Sequence, residues 1–237
     1  ATIRRQRQMC IRDRYKRMNS IRSTVLLCAG FITIVLAMFV LSVTRTPQLS
    51  DQELRAAGVF LLPKPRALAD FNLQDQSGAA YGLESLAGKW SFIFFGFTNC
   101  PDICPTSMAE MGQAERELYA AGDMLDDPLQ GVLVSVDPDN DSPSDLGQYA
   151  QAFSPRFLGI WGAREDLVAF TQQVNVAFAK VPLAPSQQIA DAPPGYTVDH
   201  TGNIVIINPR GHYHGFIKLP HKAETIRLTY QTLAAQF

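Results

Sequence analysis

The sequence predicts an α/β domain, with a central mixed sheet flanked by helices, behind one N-terminal transmembrane helix. Three observations support this prediction. The run Thr24–Val43 is apolar and uncharged, short apolar segments alternate with amphipathic ones after residue 67, and their order is βαβ followed by ββα. With 237 residues and 46% hydrophobic content, the chain is long enough for one domain of ordinary size and additional segments. The predicted parts are a basic cytoplasmic head (1–22), a transmembrane anchor (23–44), a tether (45–67) and a globular domain (68–237).

The predicted span and its flanking charges give the expected orientation. About twenty apolar residues in a helix match the ~30 Å hydrocarbon core of a bilayer. Residues 1–22 hold eight basic groups and one acidic group, Asp13, and Lys and Arg remain on the cytoplasmic side of a span. We therefore expect a single-pass inner-membrane protein whose C-terminal domain lies in the periplasm. A cleaved signal peptide is the rival interpretation, but no small-x-small cleavage site follows the run.

Two further expectations concern the N-terminus, and one concerns the rest of the chain. An arginine-rich, acid-poor head also fits a mitochondrial targeting segment, so the mitochondrial inner membrane is the second choice of location. Met18 is the expected initiator, which leaves the origin of residues 1–17 open. Outside the head the chain has 13 basic and 21 acidic groups, and this acidic balance argues against nucleic acid as a partner.

The elements of the chain follow in order after the span. Prolines interrupt the tether, which holds one short predicted helix at Asp51–Ala57. The globular domain opens with a hairpin around the turn Gln76–Gly78. The strand Trp90–Phe97 is apolar on both faces, as a sheet covered by helices on both sides requires, and the next helix ends near Gly122. The remaining predicted elements are the strands Gly131–Val136, Phe157–Trp161, Tyr196–Val198, Thr201–Ile207 and His212–Leu219, and the helices Met108–Ala121, Ser144–Phe153, Glu165–Phe178 and Lys222–Gln236.

The stretch Gly96–Pro105, with the sequence GFTNCPDICP, follows the central strand and opens a helix. Backbone N–H groups at a helix N-terminus are unpaired and carry partial positive charge. They therefore favour thiolate at Cys100 and Cys104. Two sulfurs held in this way can close into a disulfide or bind a soft metal ion such as Cu(I). Because so short a loop stabilises a fold only slightly, we interpret the pair as functional.

Other side chains are candidates for the same site. His200 follows a short strand, and two thiolates with one imidazole bind Cu(I) and also tolerate Cu(II). Asp199 can orient the imidazole ring from outside the ligand set. Asp137 is expected at the carboxyl edge of the sheet, near the cysteines. For the remaining candidates, packing, exposure or turn formation is a better explanation than metal binding. These candidates are Met108, Asp139, Asp141, His212 and His214.

Three segments together resemble the signature blocks of the Sco/SenC family: FGFTNCPDICP, VLVSVDPDNDSP and YTVDHTGNIVIINPRG. The resemblance extends from about Leu68 to the end of the chain, and the membrane anchor is typical of the family as well. It implies a thioredoxin-like fold and copper bound by Cys100, Cys104 and His200. It also implies a role in building the dinuclear copper (CuA) centre of cytochrome c oxidase. The chain departs from the signature at Thr201, where serine is common.

The predicted function is therefore that of a copper metallochaperone. It is expected to bind Cu(I) or Cu(II) and to deliver copper to the CuA site of cytochrome c oxidase subunit II, with other copper chaperones or thiol reductases as further partners. A thiol–disulfide reductase that reduces the CuA-site cysteines would use the same Cys100–Cys104 pair, so the sequence leaves this alternative open. A membrane-tethered redox or copper sensor is the third interpretation. Enzymatic activity is expected only as disulfide exchange.

Overall fold

The structure of the chain is a computed structural model that describes residues 2–44, 48–122, 129–183 and 195–237. Helix α1 (Thr2–Thr44) belongs to a first compact unit, Ala1–Thr46. Within it, the segment Ile21–Ser42 is long and apolar enough to cross a membrane, and none of it is buried. A signal sequence near the N-terminus also meets this criterion of length and composition, so the helix fits the predicted anchor, while anchoring and orientation stay predictions.

The second compact unit, Pro47–Phe237, contains an eight-stranded sheet. The strands of the sheet stand in the order β1-β10-β9-β4-β5-β6-β2-β3. β4, β5 and β6 are parallel to one another and the other pairs are antiparallel, so the predicted mixed sheet is confirmed. The strands are β1 (Val59–Ala67), β2 (Leu73–Asp75), β3 (Ala80–Tyr81), β4 (Trp90–Gly96), β5 (Leu129–Ser135), β6 (Leu158–Trp161), β9 (Ile204–Ile207) and β10 (His212–Ile217).

Two further strands form a ribbon of their own, outside the large sheet. They are β7 (Phe178–Pro182) and β8 (Tyr196–His200), which pair antiparallel. The helices of the unit lie on both faces of the large sheet. They are α2 (Asp51–Ala56), α3 (Leu83–Leu86), α4 (Ile103–Ala121), α5 (Pro143–Gln151), α6 (Arg164–Gln173) and α7 (Ala223–Gln236).

Strand β4 lies at the centre of the sheet and is buried along its whole length. Its side chains alternate between the two faces. Phe92 and Phe94 enter one apolar core with residues of α4, α5 and α7, whereas Ile93 and Phe95 enter a second core with residues of α3 and α6. The prediction of a strand that is apolar on both faces is therefore confirmed, and its C-terminal end is held rigidly where the cysteine stretch begins.

The predicted tether of residues 45–67 is wrong over most of its length. Residues 45–47 lie outside the described residues. After them, Ser50 caps helix α2 through a capping box with Glu53, and Leu54 of that helix is buried in the core. Strand β1 then pairs with β10 at the edge of the sheet. The prolines misled the prediction because an edge strand tolerates residues that cannot donate to a ladder.

A substitution at Leu54 tests whether α2 belongs to the fold. We expect Leu54→Ala to lower the free energy of unfolding by about 2–4 kcal/mol, because it opens a cavity in the core. Gln52→Ala on the exposed side of the same helix is the matched control and should change it by less than about 0.5 kcal/mol. Denaturant unfolding of the full chain in detergent measures both. If both variants changed the free energy of unfolding by the same small amount, α2 would not belong to the folded core and the predicted tether would be correct.

Three further differences from the prediction concern the ribbon and the elements that adjoin it. Helix α6 ends at Gln173 and not at Phe178, because Asn175 adopts a left-handed backbone with a φ of 57°. Phe178 instead opens β7, a strand that the sequence analysis missed. The predicted strand Thr201–Ile207 begins only at Ile204, since Thr201 closes the base of the ribbon by donating its N–H to Ala177 O. The predicted opening hairpin is confirmed as β2 and β3.

Candidate metal centre

The end of β4 and the start of α4 position the two cysteines. Cys104 is the second residue of α4 and is fully buried, whereas Cys100 lies in the preceding loop and is half-buried. Gly96, the last residue of β4, makes room for the deeper sulfur. A Cβ atom at this position would lie 2.8 Å from Cys104 Sγ, so only glycine leaves the thiol in its place.

His200 completes a group of three ligand atoms. The two Sγ atoms and one imidazole nitrogen all lie within 4.8 Å of one another. The distance from Cys104 Sγ to His200 Nε2 is 3.9 Å, although 96 residues separate the two in the chain. Among the side chains that the structure describes, this is the one cluster of three or more Cys, His, Asp or Glu with metal-binding geometry. The sequence prediction that brought Cys100, Cys104 and His200 together therefore matches the observed juxtaposition.

The imidazole is held by two aromatic rings and one carbonyl group. Phe94 and Phe97 both meet the ring of His200 edge-on, with centroid distances of 6.0 Å. His200 Nδ1 lies 3.3 Å from Thr201 O. When Nδ1 carries the proton, it donates to this carbonyl oxygen and leaves the Nε2 lone pair free on the side of the sulfurs.

The two thiols differ strongly in their acidity. A hydrogen bond from the Cys104 thiol is the main cause that lowers the pKa of Cys100 to about 4. His200 and the backbone N–H groups of Asp102 and Cys104 act in the same direction, and partial burial opposes them. The pKa of Cys104 is raised, first by this shared proton and then by burial. The pair therefore holds one thiolate, at Cys100, and one thiol, at Cys104.

The chemistry of the donor set is that of a site for a soft metal ion. Cu(I) prefers thiolate sulfur and accepts imidazole, whereas Mg²⁺ and Ca²⁺ prefer oxygen. One of the two required thiolates already exists in the free protein, so binding of a metal ion has to displace only the proton of Cys104. The half-buried positions of Cys100 and His200 leave the metal position open to a partner.

Comparison with known proteins agrees with this geometry. A protein-family model described as SCO1/SenC matches residues 62–235. The chain belongs to the SCO1/SenC family. This membership confirms the resemblance given by the three sequence segments, and the solved structures of the family confirm the thioredoxin-like fold that it implied.

Individual relatives show how far the similarity of this SCO1/SenC chain extends. A protein of Stutzerimonas stutzeri that carries a copper-binding name is 34% identical over 171 residues, which are 72% of this chain and 78% of that protein. The mitochondrial SCO2 homolog of Mus musculus is 34% identical over 158 residues, so the chain spans 58% of that relative. The structure of Bradyrhizobium japonicum ScoI with copper bound has a TM-score of 0.57 at 31% identity. The match covers 69% of this chain and 96% of that one.

The structure does not place Asp199 where the sequence analysis expected it. Successive side chains of a strand point to opposite faces, so Asp199 lies on the exposed face of β8 while His200 faces the sulfurs. The backbone carbonyl of Thr201 takes the orienting position that was predicted for the carboxylate. The alternation rule was available from sequence and would have excluded Asp199.

Asp137 is buried but contacts the ribbon instead of the cysteines. Its carboxylate accepts hydrogen bonds from Tyr196 Oη at 2.9 Å and Asn140 Nδ2 at 2.8 Å. The predicted role of Asp137 near the metal site therefore stays a prediction. Any such role is indirect, through its hydrogen bond to Tyr196 of the ribbon.

Asp141 is the carboxylate that the sequence analysis undervalued. It is buried, and one of its oxygens accepts hydrogen bonds from Thr98 N at 3.1 Å and Thr98 Oγ1 at 2.5 Å. The other accepts from Ser135 Oγ at 2.6 Å. Because Thr98 lies two residues before Cys100, Asp141 anchors the cysteine loop to the turn after β5. The parallel pairing of β4 with β5, whose carboxyl ends meet at one edge, was the signal for this contact.

The weaker candidates have other surroundings. Met108 is fully buried among the apolar side chains under the sheet. His214 packs edge-on against Trp90 and lies 3.3 Å from Asn208 Nδ2, and burial lowers its pKa. His212 and His214 do not belong to the three-ligand cluster. The burial of Met108 among apolar side chains agrees with the packing role predicted for it.

Proposed function

We propose that this chain is a membrane-anchored copper metallochaperone. Cys100, Cys104 and His200 bind copper, and the protein delivers it to the CuA site of cytochrome c oxidase subunit II. The observation that carries the proposal is the convergence of two sulfurs and one imidazole nitrogen within 4.8 Å. The copper-binding name of one relative and the copper-bound structure of another support the choice of metal. The link to the oxidase rests on the family resemblance, and the periplasmic location rests on the charge bias around α1.

Loading of copper follows from the protonation states of the two thiols. The thiolate of Cys100 is the first ligand, because it needs no deprotonation at neutral pH. Cys104 then loses its proton to solvent as its sulfur binds the ion, and the imidazole of His200 supplies the third ligand through Nε2. The bound site has two anionic sulfurs and one neutral nitrogen, a donor set suited to Cu(I).

Release of copper is proposed to begin at His200. Its imidazole is the only neutral ligand, and it is carried by the small ribbon, outside the eight-stranded sheet. An open concavity of about 310 Å³ lies beside it, lined by Ala177–Ala179 and Asp199–Thr201. A thiolate of the receiving protein can enter from this side, replace the imidazole and then take the copper from the two cysteines in steps of ligand exchange.

A thiol–disulfide reductase remains the second candidate, and the lowered pKa of Cys100 favours it. A thiolate at Cys100 can attack a disulfide of the oxidase, and Cys104 can then resolve the mixed disulfide. The reaction oxidises the Cys100–Cys104 pair and reduces the partner by two electrons, so an external reductant must restore the pair. His200 is not needed as a reactant in this scheme.

Substitution of His200 separates the two functions. We expect His200→Ala to weaken Cu(I) binding by about tenfold or less, because the dithiolate remains, and to weaken Cu(II) binding by at least about a hundredfold, because Cu(II) prefers nitrogen. Competition titrations with the purified chain measure both. In cells with this variant, CuA should fail to form unless copper is added. Normal CuA formation without added copper would refute the transfer mechanism and favour the reductase.

A further inference from the structure

The ribbon that carries His200 has one face against the body of the domain. Tyr196, Val198 and His200 alternate along β8 and therefore share this face. Val198 is buried in the second core, between the other two. On the opposite strand, Lys180 pairs with Val198 in register and lies diagonally across from Tyr196. The imidazole and the phenol thus stand on one face, about 13 Å apart along the strand.

Tyr196 and Lys180 fasten the far end of this face to the turn that follows β5. Tyr196 Oη donates to Asp137 Oδ1 at 2.9 Å and accepts from Asn140 Nδ2 at 2.7 Å. Lys180 Nζ lies 2.6 Å from Tyr196 Oη and 3.5 Å from Asp137 Oδ1, and it also pairs with the exposed carboxylate of Asp139, in the same turn, at 2.6 Å. Asp137 is only 5% exposed in its side chain. We name these four side chains the clasp: Asp137, Asn140, Lys180 and Tyr196.

The turn that receives the clasp also holds the cysteine loop. Asp137 and Asp141 are the two ends of one turn, closed by a hydrogen bond from Asp141 N to Asp137 O at 3.0 Å. Asp141 accepts both hydrogen bonds from Thr98, just before Cys100. One turn of five residues therefore connects the ribbon that carries the imidazole to the loop that carries the first thiol.

We propose that Tyr196 and Lys180 are positioning residues, which hold the imidazole of His200 within reach of the two sulfurs through the clasp. The proposal rests on the proposed copper binding. With the clasp closed, the ribbon lies against the domain and the site has three ligands. With the clasp open, the ribbon can turn outward about its base, where Thr201 N still donates to Ala177 O and Ala177 N to Thr201 Oγ1. The site then keeps only its two sulfurs. The clasp thereby sets the balance between a three-ligand site, which binds Cu(I) and Cu(II), and a two-sulfur site, which binds Cu(I) alone and has a position open to an entering ligand.

Tyr196→Phe tests the clasp with the least change in shape, and Lys180→Met is a second variant that keeps the aliphatic stem. Thr197→Val is the matched control, because it also removes one hydroxyl group from β8 but on the exposed face. We expect both clasp variants to weaken Cu(II) binding by about tenfold, because the ribbon opens more often once Tyr196 loses its three hydrogen bonds or Lys180 loses its polar contacts. The nitrogen hyperfine coupling in the Cu(II) EPR spectrum should weaken in parallel. Cu(I) affinity should stay within about twofold of the wild type, since the two thiolates are untouched.

Three outcomes would overturn the clasp. They are a wild-type Cu(II) spectrum and affinity in both variants, an equal loss of Cu(I) and Cu(II) binding, or the same change in Thr197→Val. Failure of the wild-type chain to bind copper would instead refute the proposed function. A measurement without metal keeps the two apart, because amide hydrogen exchange of metal-free protein should become faster at residues 196–200 in Tyr196→Phe and not in Thr197→Val. Unchanged exchange at these amides would refute the clasp whether or not copper binds.

Discussion

Cys100→Ser and Cys104→Ser are each expected to lower the affinity for Cu(I) by at least about a thousandfold and to abolish Cu(II) binding, because either change removes one of two anionic soft ligands. The hydroxyl group of serine stays protonated and cannot replace a thiolate. The measurement is a competition titration with a Cu(I) chelator of known affinity. It is best made in a background in which Cys10 and Cys28 are serine, so that only the two site thiols can bind copper.

Met108→Leu is the matched control for this experiment. Met108 is the third sulfur near the site and follows Cys104 by one helical turn, but it is buried in the core. Leucine conserves its volume, so we expect copper binding to remain at the wild-type level. A loss of Cu(I) in Met108→Leu as large as in Cys104→Ser would show that the thioether is a ligand and that the proposed ligand set is wrong.

The reaction of Cys100 with iodoacetamide is expected to be almost independent of pH between 5 and 8. The pKa of this thiol, lowered to about 4 by the hydrogen bond from Cys104, lies below the whole interval, so the thiolate is present throughout. An ordinary thiol with a pKa of about 8.5 loses about tenfold in rate for each pH unit below it. A thiolate of low pKa is a weaker nucleophile, and at pH 7 this loss is larger than the gain from the higher thiolate fraction. At pH 5 we still expect Cys100 to react about 30-fold faster than a free reference thiol.

Mass spectrometry of the alkylated peptide, with fragmentation to locate the label, identifies which cysteine has reacted. Cys104 should remain unlabelled in the folded protein, since it is buried and its pKa is raised. The control is Cys100→Ser, in which the pH-independent reaction should disappear. A labelling rate that climbs tenfold per pH unit up to pH 8 would contradict a resident thiolate at Cys100.

The sequence predicted which three side chains meet at the candidate metal site but not what holds them in place. Cys100 and Cys104 could be found because they follow a buried strand and lie at the start of a helix. His200 was a candidate because it follows a short strand, and the family resemblance then implied the same residue. The strand and the helix could be predicted because their apolar residues repeat every two to four positions, so a short stretch of sequence is enough to identify each one. Asp141 and Tyr196 act through contacts with Thr98 and Asp137, 43 and 59 residues away in the chain. No local period encodes a contact of this kind, so the supporting interactions needed the structure.

The errors in the predicted fold also arise from contacts between residues that are far apart in the chain. The prolines of β1 suggested a tether because a proline cannot donate to a ladder, but β1 is an edge strand and its partner β10 lies about 150 residues later. The ribbon was half missed because no residue of β7 is buried and the strand pairs with β8 alone. By contrast, β4 was predicted almost to the residue, since a strand that is buried on both faces is an uninterrupted apolar run.

The separation of 96 residues between Cys104 and His200 means that the thiols and the imidazole are synthesised at different times. At a synthesis rate of about 5–20 residues per second, the two thiols emerge roughly 5–20 s before the imidazole. β9, the partner that covers β4 on one side, follows only after His200. In an oxidising compartment such unprotected thiols close into disulfides within seconds to hours. With the periplasmic location proposed above, we therefore expect that some new chains fold with the pair oxidised, and that each of these needs a two-electron reduction before its cysteines can bind copper.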